Sequence, residues 1–279
     1  MRSDARWRPC ATVPGVNPDV QSIRVTELAC TPVKGLRLQR RSEVVLDHLG
    51  MRDDRRFYLV DQRSRMVNGK QLGALSAVVA NYEHERRRLS LTFPTGVVVT
   101  GEVVAGARID VRFFSRPSLG RLVVGPWSEA LSEHVGQPVR LVETVKPGRA
   151  GVDRGRAGGV SLLSRASLAG LAEAAGEAVD ARRFRMLVQI DGIAAHEEDD
   201  WVGRRVRVGA VLVGVHGHVG RCLVVTRHPE TGRVDLPALD VLRGYRSHVA
   251  TTEPLAFGVY GEVLEPGVVR VGDPVVVAD

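Results

Sequence analysis

Short apolar runs, most of them rich in valine and leucine, alternate with Gly, Pro and charged residues along almost the whole chain. Runs of this length and composition are typical of β-strands. We therefore predict a protein built mainly of strands. The pattern predicts them over residues 23–33, 43–46, 56–62, 78–83, 89–93, 96–100, 108–113, 137–143, 160–163, 184–190, 204–208, 211–219, 222–226, 257–264 and 268–271.

Three segments depart from the strand pattern and predict helices. Pro126 suits the first turn, and Gly136 the end, of a helix over residues 127–135. Ser164 suits the N-cap of a second helix over residues 165–175, which has apolar side chains along one face. A third short helix is predicted over residues 238–245. The predicted fold class is therefore mainly β with a few helices (α+β).

The order of these elements indicates two units, since strands alone come first and strands with inserted helices follow. We predict a loose leader over residues 1–21, a first domain over 22–114 and a second over 115–279. A chain of 279 residues is long enough to bury two packed cores.

The net charge of +7 comes almost entirely from arginine, since lysine occurs only at Lys34, Lys70 and Lys146. The bias has two explanations, GC-rich codons or an anion site, because guanidinium binds phosphate with two hydrogen bonds. The arginines are dispersed and aromatic residues are few, so we expect no nucleic-acid partner. No apolar stretch has the roughly 18–20 residues of a membrane span, and no secretory signal begins the chain. We expect a cytoplasmic protein by elimination.

Three cysteines, Cys10, Cys30 and Cys222, are too few and too scattered for a disulfide framework or an iron–sulfur cluster. The Gly- and Arg-rich residues 146–159 lack the spacing of a nucleotide-binding loop, and we consider them a candidate active-site lid. The chain therefore has no recognisable redox cofactor motif of the NAD, flavin or iron–sulfur kind.

Four segments carry a more specific signal: TPVKGLRL (31–38), DDRRFYLVD (53–61), GRCLVVTRHPETG (220–232) and FGVYGEVLEPGVVRVGDPV (257–275). Together they resemble the MOSC-domain family, which includes the mitochondrial amidoxime-reducing component and its bacterial relatives. The likeness extends over roughly residues 22–279. It implies an N-terminal β-barrel domain packed on a MOSC-type β-barrel domain.

The resemblance also implies a molybdenum cofactor, a phosphate-bearing pterin whose metal takes one thiolate from the protein. Cys222 stands where the family has that ligand, and only a deprotonated thiol binds the metal. Arg221 beside it would favour the anion. Lys34 and Arg56 match positions that grip the pterin, and Arg55 and Arg185 are supporting candidates.

Several residues depart from the family pattern close to these positions. Glycine replaces serine at Gly35, Gly158 and Gly220, and Leu187 replaces an asparagine. Val225 and His228 replace a threonine and an aspartate. Donors to the cofactor would be missing here, although a glycine can still offer its backbone N–H.

A competing metal site involves His216 and His218, which would share one face of a strand close to Cys222. Two imidazoles and a thiolate suit Zn, Cu or Fe, whereas the plainer interpretation is two histidines on a half-exposed strand. The acidic segment 196–201 could hold a cation, although such runs usually form solvated turns.

Three functions follow. The first is a molybdenum-dependent reductase of N-hydroxylated small molecules, with electrons from a separate ferredoxin or flavin reductase type of donor. The second is a carrier of the cofactor or of sulfur without turnover; it would lack the pyridoxal phosphate-dependent desulfurase part of cofactor sulfurases. The third is a MOSC-like scaffold that has lost molybdenum and binds another metal or a small molecule.

Overall fold

Nineteen β-strands and three α-helices form most of the part of the chain that the structure, a computed structural model, describes: residues 22–113, 116–145 and 154–278. The predicted leader over residues 1–21, with Cys10, and most of the candidate lid lie outside these residues. The strands are β1 (Arg24–Cys30), β2 (Gln39–Arg41), β3 (Glu43–Asp47), β4 (Gly50–Met51), β5 (Phe57–Val60), β6 (Met66–Val67), β7 (Val79–Glu83), β8 (Arg88–Thr92), β9 (Val98–Glu102), β10 (Val104–Phe113), β11 (Arg116–Val124), β12 (Arg140–Thr144), β13 (Val160–Ser164), β14 (Val188–Asp191), β15 (Arg205–Val208), β16 (Val211–Gly220), β17 (Ala256–Glu265), β18 (Gly267–Arg270) and β19 (Val275–Ala278).

The helices are α1 (Trp127–Val135), α2 (Arg165–Ala175) and α3 (Ala238–Arg246); the capping signals predict the first two, and the third ends one residue beyond the predicted helix. Ser164 caps α2 by accepting a hydrogen bond from the Ser167 N–H, and Gly136 ends α1 with a left-handed backbone (φ 70°). Short 3-10 helices form at Gly73–Ala77, Gly155–Gly158, Ala181–Phe184, Glu197–Trp201 and Leu223–Thr226. The prediction of a mainly β protein with a few helices is confirmed.

The largest sheet has eight strands in the order β19-β15-β16-β17-β13-β14-β1-β2. Its core contains Leu28, Leu162, Val188, Val213 and other aliphatic side chains. A second sheet has the order β10-β11-β12-β5-β6 and is covered on both faces. Alternation along β5 places Phe57 and Leu59 in one apolar cluster and Tyr58 and Val60 in another. Two three-stranded sheets, β18-β3-β4 and β7-β8-β9, complete the architecture.

Strands from the two ends of the chain are interleaved. The first strands, β1 and β2, join the eight-stranded sheet, and β3 pairs with β18 near the C-terminus. The predicted boundary near residues 114–120 falls in the β10–β11 hairpin, and the sheet continues beyond it to β12 and β5. Loops from both sheets therefore meet along one seam.

Two predicted strands are wrong. Leu223–Thr226 form a 3-10 helix with Cys222 as its N-cap, and the strand predicted over 184–190 begins only at Val188. In the second case the backbone of Arg185 is left-handed (φ 54°), which interrupts an extended chain. No helix among the described residues is long and apolar enough to span a bilayer.

We expect Gly73→Ala to destabilise the fold, because its new Cβ would lie 2.3 Å from the backbone oxygen of Gly232. Relieving such an overlap costs about 1–3 kcal/mol. Gly244→Ala is the matched control, since it lies on α3 with open space around it and should gain about 0.5–1 kcal/mol. Urea unfolding measures both, and equal effects would contradict the close contact.

Candidate functional site

A cavity of about 340 Å³ lies at the seam between the two large sheets, within the size range of small-molecule sites. Its wall combines segments distant in sequence: the loop after β1, the turn before β5, the loop after β6 and the segments around β13, Arg185 and Cys222. The lining residues are Lys34, Gly35, Arg55, Asn68, Gly69, Ser76, Arg154, Gly158, Ser161, Arg183, Phe184, Arg185, Met186, Val219, Gly220, Arg221, Cys222, Val224, Val225 and Tyr260.

Cys222 lies in the cavity wall two residues beyond β16, where the chain turns into the 3-10 helix Leu223–Thr226. Cys222 is exposed to solvent, whereas Cys30, the other cysteine among the described residues, is buried. Burial is the main cause that raises the pKa of the Cys30 thiol. Of these two thiols, only that of Cys222 is accessible to a ligand in the cavity.

The guanidinium of Arg221 fixes the turn that carries Cys222. Its Nε donates to the carbonyl of Phe257 at 2.9 Å, and its Nη1 donates to the carbonyl of Phe184 at 2.8 Å. These bonds tie the turn to β17 and to the 3-10 helix Ala181–Phe184. Arg221 is therefore a positioning residue in this structure, and its direct contact with a cofactor stays a prediction.

Glu253 joins the same turn to the opposite rim. Its Oε2 accepts the Gly220 N–H at 2.9 Å and the Nη2 of Arg154 at 2.7 Å. The Arg154 guanidinium lies 4.2 Å from the ring centroid of Tyr260, in a cation–π contact. The hydrogen bond from Arg154 lowers the pKa of Glu253, so this carboxylate is ionised at neutral pH.

Arg55 and Arg185 both have left-handed backbones, with φ of 51° and 54°, which is uncommon for residues other than glycine. The Nη2 of Arg55 donates to the carbonyl of Arg185 at 2.8 Å, and the Nη2 of Arg185 donates to that of Leu36 at 2.8 Å. Buried Asp54 accepts from the Thr31 N–H and from Arg55. This chain of bonds stabilises the strained backbones and holds two cations in the cavity wall.

The cavity wall is strongly positive. Six of its residues are Lys or Arg, and none of those described is Asp or Glu. Arg55, Arg154 and Arg183 have carboxylate partners that lie behind the wall. Arg185 and Arg221, in contrast, form no ion pair with any described residue. Burial lowers their pKa values to about 10 and about 9, so both stay protonated at neutral pH. An anion in the cavity would balance these two charges.

Lys34 and Arg183 add donors to the same wall. Lys34 is buried, with its Nζ 5.7 Å from the ring centroid of Phe113. Arg183 binds Asp235 through Nη1 and Nη2, at 2.6 and 2.8 Å, but its buried Nε has no hydrogen-bond partner. A buried donor without a partner costs about 1–3 kcal/mol, so a ligand oxygen or a water is expected there.

The three glycines that depart from the family pattern all line the cavity. Gly35 has φ +94°, which disfavours any other residue, and a Cβ at Gly158 would lie 2.5 Å from that of Arg154. Leu187 is buried in the core of the eight-stranded sheet, and His228 is not a lining residue. Val225 does line the wall, where it replaces a hydroxyl with apolar surface.

Arg56, which the resemblance implies as a pterin contact, does not line the cavity in this structure. Its guanidinium donates to Glu143 and Asp53 at 2.8 and 2.9 Å, and it lies over the ring of Tyr82. Burial is the largest single effect and lowers the pKa of Arg56, but the hydrogen bonds and charges of Glu143, Asp53 and Tyr82 together outweigh it, so the pKa is raised. The side chains of Arg55 and Arg56 point in different directions, and of these two only that of Arg55 lines the cavity.

His216 and His218 do not form the alternative metal site. The register of β16 shifts between Val215 and Gly217, which breaks the expected alternation. His216 is exposed beside Glu262 at 3.3 Å, whereas His218 is buried and its Nδ1 accepts the Thr252 N–H at 3.1 Å. Over residues 22–113, 116–145 and 154–278, no three His, Cys, Asp or Glu side chains are placed to hold a metal ion.

The acidic segment 196–201 is structural. Fully buried Glu198 accepts from the Ser167 hydroxyl at 2.7 Å and from the Ser164 N–H at 3.1 Å, which braces the start of α2. Asp199 pairs with Arg246 at the end of α3. None of these residues lines the cavity.

Sequence reasoning missed the polar groups that face the cavity from other segments. Arg154, Arg183, Asn68, Ser76, Ser161 and Tyr260 all line it, and Glu253 braces it from behind. Arg183 lies two residues before Arg185, and Tyr260 lies inside a quoted family segment, so both had a local signal. Glu253 had none, because its role depends on a contact with Gly220 that only the fold creates.

Two family comparisons divide the chain. Residues 22–116 match the MOSC N-terminal beta barrel domain, and residues 151–276 match the MOSC domain. The chain belongs to the family of MOSC-domain proteins that carry this N-terminal β-barrel domain.

Two relatives are similar to this protein along almost the whole chain. Mitochondrial amidoxime-reducing component 1 of Xenopus laevis is 27% identical over 97% of this chain and 87% of its own length. Mitochondrial amidoxime reducing component 2 of Bos taurus is 26% identical over 96% of this chain and 87% of its own. Among solved structures, the YUAD protein from Bacillus subtilis covers 91% of this chain and 94% of its own, with 11% identity and a TM-score of 0.43.

We expect the free energy of unfolding to fall as the pH drops from about 6.5 to about 4. Burial, with a smaller effect of Arg246, lowers the pKa of His196 from 6.5 to about 4, while Asp199 opposes the shift. In this range the unfolded chain binds a proton that the folded chain does not, at a cost of about 1–3 kcal/mol.

The His196→Gln variant should lose this part of the pH dependence. Urea unfolding of both proteins at the two ends of the range measures the difference. An identical pH dependence in the variant would show that His196 is not the group responsible.

Proposed function

We propose that the protein is a molybdenum-cofactor-binding oxidoreductase that reduces N-hydroxylated small molecules, with electrons from a separate donor protein. The observation that carries the proposal is the exposed Cys222 in a wall where Arg185 and Arg221 form no ion pair with any carboxylate of the described residues. Such a cavity favours an anionic ligand with a metal that prefers sulfur. The names of the relatives support a reductase of amidoximes.

The residues present fit such a group. The Cys222 thiol, once deprotonated, would bind the metal, as soft metals prefer thiolate. Arg183, Arg185 and Lys34 would donate to the phosphate and the polar pterin edge, and Arg55 would support them. The glycines at 35, 158 and 220 leave backbone N–H groups in the cavity wall, and the hydroxyls of Ser76 and Ser161 line the same wall and offer further polar contacts.

When bound, the molybdenum cofactor would supply the two-electron chemistry of the reaction. The substrate takes up two electrons and two protons, its N–O bond breaks, and the oxygen leaves as water. The described part of the cavity wall contains no His, Asp or Glu, so we propose that the protons come from solvent. The protein's own residues bind and orient, and Arg221 and Glu253 hold the Cys222 turn in place.

The proposal includes a small-molecule substrate and a donor of the ferredoxin or flavin reductase type. It also includes the cytoplasmic location expected from the sequence, although the names of the relatives are mitochondrial.

Cys222→Ala should abolish reduction of a test amidoxime, because the thiolate ligand of the metal is lost. Turnover is measured with the chemical reductant methyl viologen, after expression in a host that makes the cofactor. Cys30→Ala is the matched control and should retain activity, since Cys30 is buried in the core of the eight-stranded sheet. Unchanged turnover in the Cys222 variant would eliminate the mechanism.

Arg185→Gln should weaken retention of the pterin about 10- to 100-fold, the value of one charge-assisted hydrogen bond. Pterin fluorescence after dialysis measures retention without relying on activity. Arg56→Gln should lower the free energy of unfolding but leave retention unchanged, because Arg56 binds Glu143 and Asp53 away from the cavity. Loss of pterin from the Arg56 variant instead would reverse this assignment.

A carrier of the cofactor or of sulfur is the second candidate. The described wall contains no His, Asp or Glu, which favours a carrier, since a carrier needs no proton donor of that kind. A carrier would bind molybdenum but reduce no amidoxime with methyl viologen. The same turnover assay therefore separates the two functions.

A further inference from the structure

The loop between α3 and β17, residues 247–255, carries Glu253 but belongs to no strand or helix. Such a loop keeps a side chain in one place only where other segments hold its backbone. The carboxylate of Glu253 binds both the Gly220 N–H and Arg154. Whatever holds this loop therefore also holds part of the cavity wall.

His218 of β16 holds the loop through two reciprocal hydrogen bonds with Thr252. The His218 N–H donates to the Thr252 hydroxyl at 2.8 Å, and the Thr252 N–H donates to Nδ1 of His218 at 3.1 Å. Beside them, the Thr251 hydroxyl donates to the backbone carbonyl of Glu253 at 2.8 Å. These bonds set the position from which the Glu253 side chain extends. We call His218, Thr252 and Glu253 the brace.

The ring of His218 is buried and has a second polar neighbour on its other side. Because Nδ1 accepts a hydrogen bond, the neutral ring carries its proton on Nε2, which lies 3.9 Å from Oδ1 of Asp199. Asp199 is itself paired with Arg246 at the end of α3. The ring orientation that serves Thr252 thus directs the Nε2–H towards the buried oxygen of Asp199 that has no hydrogen-bond partner among the described residues.

The direction of His218 results from two irregularities of β16. Its pairing with β17 shifts between Val215 and Gly217 and again between His218 and Gly220. Such bulges change the direction of side chains on a strand and are common beside active sites. As a result His218 and Gly220 both bond the loop, whereas Val219 between them lines the cavity.

Two glycines allow the strand to come this close to the loop. A Cβ at Gly217 would lie 2.7 Å from the hydroxyl oxygen of Thr252, and a Cβ at Gly220 would lie 2.6 Å from Oε2 of Glu253. Neither glycine has a left-handed backbone, so the lack of space, and not the conformation, excludes a side chain. The fit between β16 and the loop is therefore close at both points where hydrogen bonds join them.

We propose that His218 and Thr252 are positioning residues of the site, which act through Glu253. By holding the Glu253 carboxylate on the Gly220 N–H, they fix the turn that presents Cys222 to the cavity. Groups behind a metal ligand orient it, and their loss lowers metal affinity by about 10- to 100-fold. The inference rests on the proposed function for what Cys222 binds, whereas the hydrogen bonds of the brace do not depend on it.

The test compares two variants of the full chain that differ chiefly in hydrogen bonding at His218. His218→Asn places an oxygen where Nδ1 accepts the Thr252 N–H, whereas His218→Leu places a methyl group of similar size there. His216→Leu is the matched control, since His216 lies two residues earlier on β16 and pairs with Glu262 instead.

Hydrogen exchange of the Gly220 amide, followed by NMR in protein made without the cofactor, reports the bond to Glu253 directly. We expect exchange about tenfold faster in His218→Leu, because the loss of one hydrogen bond weakens the hold on the loop. His218→Asn and the His216→Leu control should stay close to the wild type. In a Glu253→Ala background, His218→Leu should have no further effect.

Pterin retention after dialysis tests the consequence for the site. It should fall about tenfold in His218→Leu, and His218→Asn should restore it. Unchanged Gly220 exchange in His218→Leu, or faster exchange with unchanged retention, would overturn the positioning role. Equal losses in the Leu and Asn variants would overturn it too, because the shape of the side chain and not its hydrogen bond would then be responsible.

A second variant keeps the test decisive where His218→Leu does not fold. Thr252→Val removes the hydroxyl that accepts the His218 N–H and should have the same effects, and Thr252→Ser is its conservative control. Failure of the proposed function gives a different result. A wild type that holds no pterin and reduces no amidoxime, but whose Gly220 exchange still responds to His218→Leu, would refute only the reductase.

Discussion

Positive charge held partly out of water, without a carboxylate to balance it, is the constraint on which the cavity depends. Removing a guanidinium from water is costly unless it is paired and hydrogen-bonded. Arg221 and Arg185 satisfy part of this need through backbone carbonyls, at 2.8–2.9 Å. Their charge remains unbalanced by any described carboxylate, so an anion is the natural completion of the site.

The interleaved strands make this arrangement possible. Asp54 and Arg55 come from the first third of the chain, yet they brace Arg185 from the second half. Glu253 connects Gly220, in the turn of Cys222, with Arg154 across the cavity. Because each contact joins distant segments, the cavity is assembled only when both sheets have formed and packed. Its geometry and the stability of the fold are therefore coupled.

Local signals in the sequence were enough for the elements that depend on local contacts. The caps at Ser164 and Gly136 predicted two helices, and alternation predicted most strands.

The family resemblance led to Cys222, Lys34, Arg55 and Arg185, which the fold brings to one cavity. Arg56 lay in the same motif but faces Glu143, and its direction could not be read from neighbours in sequence. The pair His216 and His218 failed for a similar reason, since a bulge reversed the alternation. Glu253 and Arg154 needed the tertiary structure itself.

The most direct test of the account is a crystal structure of protein purified from a host that makes the cofactor, with anomalous data collected at the molybdenum edge. The account predicts one molybdenum peak within bonding distance of the Cys222 sulfur and phosphate density beside the guanidinium of Arg185. Full cofactor occupancy with the metal bound away from Cys222, or a cavity that holds only water in such protein, would contradict it.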